Sequence, residues 1–250
     1  MLFRSRTRPD VVFHLAAQID VRVSVARPVE DALVNVVGSL NVFEAALAAG
    51  VRKVVFAGSG GTLYGSPSVI PTPESEPQRP ESPYGVAKKA VGDYLHYYRE
   101  VRGLDSTVLA LANVYGPRQD PHGEAGVVAI FTERMLRGEP VTIFGDGNQQ
   151  RDYVYVADVV EAAIRGATRT PATCLVGTGL GTSTQSIFDT LAALTGYETP
   201  VRYGPERPGD IQRIWLDASR AREVWGWSAE VPFAEGMART VEWFRERAES

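Results

Sequence analysis

Val54-Val-Phe-Ala-Gly-Ser-Gly-Gly61, followed by Ser82-Pro-Tyr-Gly-Val-Ala-Lys88, is the stretch whose reading decides the fold. The apolar run from Val54 to Ala57 has the composition of a strand buried on both faces. It delivers Ser59 at its carboxyl end, the side on which open α/β sheets bind ligands. Gly58-Ser-Gly-Gly61 then lets the backbone approach a ligand closely. Six prolines between Pro67 and Pro83 exclude regular structure from the connection. Tyr84 and Lys88 stand four apart, so on a helix they share a face and the ammonium can sit beside the phenol. A free phenol titrates near pH ~10, and a cation about 5 Å away at an effective dielectric of roughly 20 contributes ~3 kcal/mol toward the tyrosinate. Ser59 supplies a hydroxyl able to hold a substrate oxygen against Tyr84. An isolated Tyr-x-x-x-Lys is most often a surface feature of an amphipathic helix; the strand and glycine turn before it give this one its weight.

Outward from this stretch the pattern alternates strands and helices. Asp10 to Ala17 reads as a buried parallel strand, with His14 as a packed core histidine. Pro28 to Ala49 keeps helical spacing at Val29, Leu33, Val36, Leu40, Phe43 and Leu47, opens on a proline and closes on Gly50, as a crossover helix would. Thr107 to Ala112 is the next strand and ends at Asn113. Beyond Pro117 a plausible helix from Glu124 to Leu136 and a short strand from Val141 to Phe144 precede Arg151 and Asp152. Val154 to Ala167 reads as helix, and Cys174 to Gly177 as a strand returning to the sheet. Gly177-Thr-Gly-Leu-Gly181 follows a strand and precedes a helix, as a dinucleotide loop does, but Thr182 replaces the third glycine and no acid lies about 20 positions on. An ordinary strand-to-helix turn is the better reading. Asp217 caps a helix reaching Trp225, and Phe233 to Arg247 forms a last amphipathic helix.

A chain of 250 residues, 44% hydrophobic and 22% charged, is long enough for one substantial core or two unequal lobes. A net charge of −4 gives no electrostatic case for nucleic acid, and no run of some 18 apolar residues argues for a membrane span. Cys174 is the only cysteine, which excludes an internal disulfide and fits a reducing cytoplasm. The three histidines, His14, His96 and His122, have no ligand-like spacing, so no metal site is expected. Met1 to Arg8 carries three arginines but lacks the apolar core of a secretory signal, and reads as the tail of a helix.

Taken together, Ser59, Ser82-Pro-Tyr84 with Lys88, Asn113-Val-Tyr-Gly-Pro-Arg118 and Arg151-Asp-Tyr-Val-Tyr-Val-Ala-Asp158 resemble the extended short-chain dehydrogenase/reductase superfamily, and within it the UDP-glucose 4-epimerase-like enzymes. The resemblance covers nearly the whole chain from Pro9 onward. It implies a Rossmann-like, doubly wound parallel α/β sheet formed by residues 1–116 and about 152–180, with a smaller α/β sugar-nucleotide lobe from about 117–151 and 181–250. It implies NAD as cofactor, a UDP-sugar as substrate, a homodimer and a cytoplasmic location. Ser59, Tyr84 and Lys88 take the catalytic roles. Ala16, Ala17 and Asn35, with Ser59, Tyr84 and Lys88, lie at the cofactor. Thr62, Asn113, Arg151, Arg207, Asp210 and Ile214 lie at the sugar nucleotide, Arg207 and Arg151 on phosphate, Asp210 on ribose and Ile214 as gate of the hexose pocket. Relatives that dehydrate or decarboxylate carry an extra acid just after the active-site Ser or Thr. Gly60 and Gly61 occupy those positions here, which favours 4-epimerisation; another sugar-nucleotide epimerase or dehydratase is the alternative.

Two features depart from that pattern. Members of the superfamily begin with a strand, a glycine-rich turn and a helix that seat the pyrophosphate, and Met1 to Pro9 offers none of these. The expectation is that two βα units, on the order of 60 residues at roughly 30 each, and the strand after them are missing. The strand at Val11 would then be an open edge, leaving the chain alone poorly soluble and weak or inactive toward NAD, and in the extreme only a sugar-nucleotide-binding lobe around Arg151 and Arg207. Gly58 and Ala110 also stand where relatives usually carry other residues.

Overall fold

The structure, a computed structural model, describes residues 8–122, 126–206 and 211–248. Arg207 and Asp210 lie outside the described residues. The chain opens with β1 (Val11–His14) and α1 (Val21–Ala26), whose Arg22 and Val23 N–H groups donate to the Asp20 carboxylate. Helix α2 (Pro28–Ala48) follows, with one π-helical turn at Leu33–Val37. It ends as predicted: Gly50 takes φ 70°, its N–H bonds Leu47 O and the Val51 N–H bonds Ala46 O. Strand β2 (Lys53–Ser59), a single turn α3 (Gly60–Leu63), helix α4 (Pro83–Arg102) and β3 (Asp105–Leu111) complete the first half. Ser82 caps α4 by accepting the Gly85 N–H, and Pro83 occupies its first turn.

The second half holds β4 (Asn113–Tyr115), α5 (Val127–Leu136), β5 (Thr142–Phe144), β6 (Gln150–Arg151), β7 (Tyr153–Tyr155), α6 (Val156–Thr168), β8 (Thr173–Val176) and β9 (Thr182–Ser183). It finishes with α7 (Thr184–Thr195), β10 (Arg202–Gly204), β11 (Arg213–Ile214), α8 (Ser219–Trp225) and α9 (Phe233–Ala248). Val154 and Tyr155 belong to a strand, contrary to the helix read from Val154 onward. They pair in parallel with Val114 and Tyr115, and the helix begins only at Val156. The β-branched and aromatic run Tyr153-Val-Tyr155 suits that buried ladder.

Four parallel strands in the order β1-β2-β3-β8 form the main sheet. Its two faces are covered differently. Phe43 and Ala46 of α2 and Val91, Leu95 and Tyr98 of α4 pack on Val54, Phe56 and Val108. On the other face, Ala162 of α6 and Trp225 and Trp227 pack on Val55, Leu109, Cys174 and Val176. Both buried indoles find acceptors, Trp225 at Thr170 O and Trp227 at Asp158 O. Helix α8, placed by sequence in the substrate lobe, thus packs under the main sheet. A second core joins α5, α7 and α9 through Phe131, Ile187, Leu191, Met237 and Val241, with Tyr153 and Tyr155 at its border.

The two edges of the main sheet are unlike. On β8 the Leu175 N–H is taken by the Glu74 carboxylate at 2.9 Å, and Cys174, Leu175 and Val176 are fully buried. Among the described residues β1 pairs on one side only, and Phe13 is 46% exposed. The strand at Val11 is therefore shorter and less buried than its apolar sequence suggests. His14 is the packed histidine expected, with Nε2 2.9 Å from Ser39 Oγ and its ring edge-on to Phe43. Helix α2 is long and apolar enough to cross a membrane by length and composition. Its buried Asp31, Asn35 and Ser39, and Glu44, which accepts from Tyr98 and Arg102 of α4, fix it as a crossover helix of the sheet.

Candidate active site

Strand β2 carries Ser59 at its carboxyl end and α4 presents Tyr84 and Lys88 one turn apart beside it. Glycine is required between them. A Cβ at Gly60 would stand 2.4 Å from Leu216 Cδ1 and 2.8 Å from Ala110 O, so the chain turns out of β2 with no room for a side chain. A Cβ at Gly61 would come 3.5 Å from Asn113 Oδ1, and one at Gly85 2.8 Å from Thr62 O. Ser59, Thr62, Tyr84, Lys88 and Asn113 are therefore gathered at the carboxyl ends of β2 and β3, as read from sequence. The Thr62 hydroxyl is buried with no partner.

Lys88 is 5% exposed, its Nζ donating 2.8 Å to Ala57 O and lying 5.6 Å from the centre of the Tyr84 ring. Ala57 sits one residue beyond the last position at which β1 pairs with β2, so the ammonium covers a carbonyl at the end of that ladder. The expected lowering of the phenol does not hold in the ligand-free chain. Burial pushes the Tyr84 phenol up to about 12, opposed by a hydrogen bond with Ser59 and reinforced by the charge of Asp31. Burial likewise pushes the Lys88 ammonium down to about 8, opposed by Asp31. Desolvation outweighs the mutual attraction that spacing alone suggests.

Asn35 does not offer a free side chain to a cofactor. Its Oδ1 accepts the Gln18 N–H at 2.8 Å and its Nδ2 donates to Gln18 O and Asp31 Oδ1. It braces the segment that leaves β1, in which Ala16 is exposed and Ala17 half-buried. Arg151 lies on β6 beside Ile214 of β11, two residues before the point where Tyr153 pairs with Asn113. Ile214 is 2% exposed and packs in the main core with Leu63, Val154 and Leu216, an interior position rather than the wall of an open pocket.

Asp152, beside Arg151 in sequence, proves to be a buried structural carboxylate. Its carboxylate accepts from four donors: Thr178 N at 2.9 Å, Thr178 Oγ1 at 2.6 Å, Gly179 N at 3.1 Å and Leu216 N at 3.1 Å. Burial raises its carboxyl above the usual range against these donors. The loop Gly177–Gly181 is thus a cradle for an internal carboxylate, which is why it is glycine-rich and not a phosphate loop. A Cβ at Gly177 would stand 2.4 Å from Asp152 Oδ2. An acid immediately before an aromatic strand, with a glycine loop 25 residues later, was the available signal. A cavity of about 490 Å³ between α5, α9 and Arg118–His122 lies apart from the Ser59 cluster.

The family model for the NAD dependent epimerase/dehydratase family matches residues 2–173. The chain is 51% identical over 244 residues to a UDP-glucose 4-epimerase of Mycolicibacterium smegmatis, covering 97% of this chain and 78% of that one. Among solved structures it superposes with TM-score 0.95 and 48% identity on the UDP-glucose 4-epimerase of Thermotoga maritima with UDP-glucose, covering 99% of this chain and 82% of that one. It superposes with TM-score 0.91 and 44% identity on the Thermus thermophilus UDP-glucose 4-epimerase in complex with NAD, covering 97% and 81%.

Proposed function

The chain belongs to the NAD dependent epimerase/dehydratase family, and from that premise we propose that it is an NAD-dependent UDP-sugar 4-epimerase interconverting UDP-glucose and UDP-galactose. The observation that carries this reading is the Ser59, Tyr84 and Lys88 cluster, closed by two glycines in place of an acid. Gly60 has no room for a side chain, so no carboxyl can be placed there to assist elimination.

The donor set fits the nicotinamide end of NAD. Lys88 spends one of its three protons on Ala57, and the others stand beside Tyr84, where a ribose hydroxyl would be received. The described residues do not provide the pyrophosphate cradle, since the N–H groups of Thr178 and Gly179 are bonded to Asp152. When bound, NAD accepts and returns the hydride of the sugar's C4. Tyr84 removes the proton from the C4 hydroxyl and later returns it, and Ser59 holds that oxygen in line with the phenol. Lys88 stabilises the tyrosinate electrostatically. Asn113 and Thr62 line the approach for the hexose, and Arg151 reaches the diphosphate with a guanidinium fork.

Chain supplied with NAD and UDP-galactose is expected to yield UDP-glucose, read by proton NMR of the anomeric and H4 signals. A stable 4-keto-6-deoxy product, or tight UDP-sugar binding with no conversion and no NAD binding, would overturn the reading in favour of a dehydratase or a binding lobe.

A homodimer is part of the proposal. Val29, Leu33 and Val37 on α2, and Val86, Tyr94, Tyr97 and Val101 on α4, form two exposed apolar stripes on packed neighbouring helices. Substituting Val29 and Val101 by Asp is expected to convert a dimer to a monomer in sedimentation velocity. A parent sedimenting as a monomer of 27.2 kDa at all concentrations would defeat this part.

A further inference from the structure

Asp31 is a carboxylate that nothing so far accounts for. It lies in the first turn of α2 and is 2% exposed. Its Oδ1 accepts Gln18 Nε2 and Asn35 Nδ2, each at 3.0 Å, while Oδ2 is buried without a partner. A bare carboxylate oxygen inside a protein is costly unless an opposite charge is close. The first turns of α2 pack against α4, the helix that carries Tyr84 and Lys88. Among the described residues Lys88 forms no ion pair; its recorded partners are the Ala57 carbonyl and the rings of Phe56 and Tyr84. On its other side Lys88 borders a cavity of about 340 Å³ shared with Glu74, Lys89, Asp93, His96 and Arg220. Of all these charged neighbours, Asp31 is the one whose field acts on both Tyr84 and Lys88.

We propose that Asp31 is a positioning residue of this site, serving as the counter-charge to Lys88 and, through Asn35 and Gln18, fixing the segment that leaves β1 against the Tyr84–Lys88 helix. The carboxylate holds the ammonium's charge in an otherwise desolvating pocket, and its other oxygen ties down the segment that follows Ala17. Its catalytic meaning rests on the reading of Tyr84 and Lys88 as the reacting pair; the charge relation itself is measurable without turnover.

The chain contains three lysines, Lys53, Lys88 and Lys89, so ¹³C-lysine NMR gives three ε-carbon signals. Lys88→Met identifies the one of interest. In Asp31→Asn, which keeps the Oδ1 acceptor and removes the charge, the acid dissociation constant of Lys88 is expected to rise about tenfold. Asp31→Glu, which keeps the charge, is expected to leave it near that of the parent. An unchanged Lys88 midpoint in Asp31→Asn, or a movement as large in Asp31→Glu, overturns the proposal and leaves Asp31 a packing residue. The unmodified chain supplies an independent reading. The Asp31 carboxyl carbon is expected to show a step at the pH where Lys88 titrates, and its absence also overturns the proposal. Failure of epimerisation with these titrations intact would fault the proposed reaction, not the charge pair.

Discussion

Tyr84→Phe is expected to lower kcat by about 10³, the middle of the range for loss of a positioned general acid or base, with UDP-sugar affinity changed only a few-fold. The substitution keeps the buried ring beside Lys88 and removes the hydroxyl alone. The pH profile adds a sharper check. With the phenol pushed up to about 12 and the ammonium down to about 8, the resting pair at neutral pH is neutral Tyr84 beside charged Lys88. The reactive arrangement, tyrosinate beside ammonium, has one proton fewer. Its population therefore grows tenfold per pH unit until Lys88 itself deprotonates near 8. Above that pH the dominant state has the same proton count as the reactive one, and the population levels off. Parent kcat/KM should accordingly climb from pH 6 to about 8 and then hold, while the residual activity of Tyr84→Phe should lack the climb. A parent profile flat across pH 6 to 8, or a loss below tenfold in the variant, would remove Tyr84 from the role of base.

The second large effect is on stability. Asp152→Ala strips the acceptor from two backbone N–H groups of the Gly177–Gly181 loop, from the Thr178 hydroxyl and from Leu216 N–H. Removing one partner of a buried charged network costs about 3–5 kcal/mol. For a chain of this size each kcal/mol is worth roughly 2–4 °C, so Tm is expected to fall by at least roughly 6 °C. Asp152→Asn should fall between. It retains an acceptor for Thr178 but turns an N–H₂ group toward the N–H groups of Gly179 and Leu216. An Ala variant melting within about 2 °C of the parent would show that the loop re-satisfies itself with water.

The sequence made the main sheet legible because its strands are continuous apolar runs, and the start of α4 because Ser82 and Pro83 punctuate it. Ser59, Tyr84 and Lys88 could be placed because strand end and helix face are local properties. Their protonation could not, since burial is contributed by α2 and the sheet, both distant in sequence. Val154 and Tyr155 were misread for a similar reason. A three-residue strand followed at once by a helix has no period of its own, and only pairing with Asn113–Tyr115 defines it. Asp152 and Asp31 escaped because a carboxylate among helix and loop residues reads as solvated. What makes each matter is the N–H groups or the ammonium brought to it by remote segments. Asn35, placed near the cofactor by resemblance, also bonds the Gln18 backbone, a partner in the segment after β1 that the pattern of its own helix does not reveal.

The difference between the two sheet edges sets how far self-association could run. Propagation into a fibre needs two open edges per subunit, because each added chain must offer a new one. Here Glu74 occupies the β8 edge at Leu175, and that strand is fully buried. Among the described residues, β1, with Phe13 outward, is the edge of the main sheet left without a second strand. Strand addition to the described sheet can therefore run in one direction only, outward from β1.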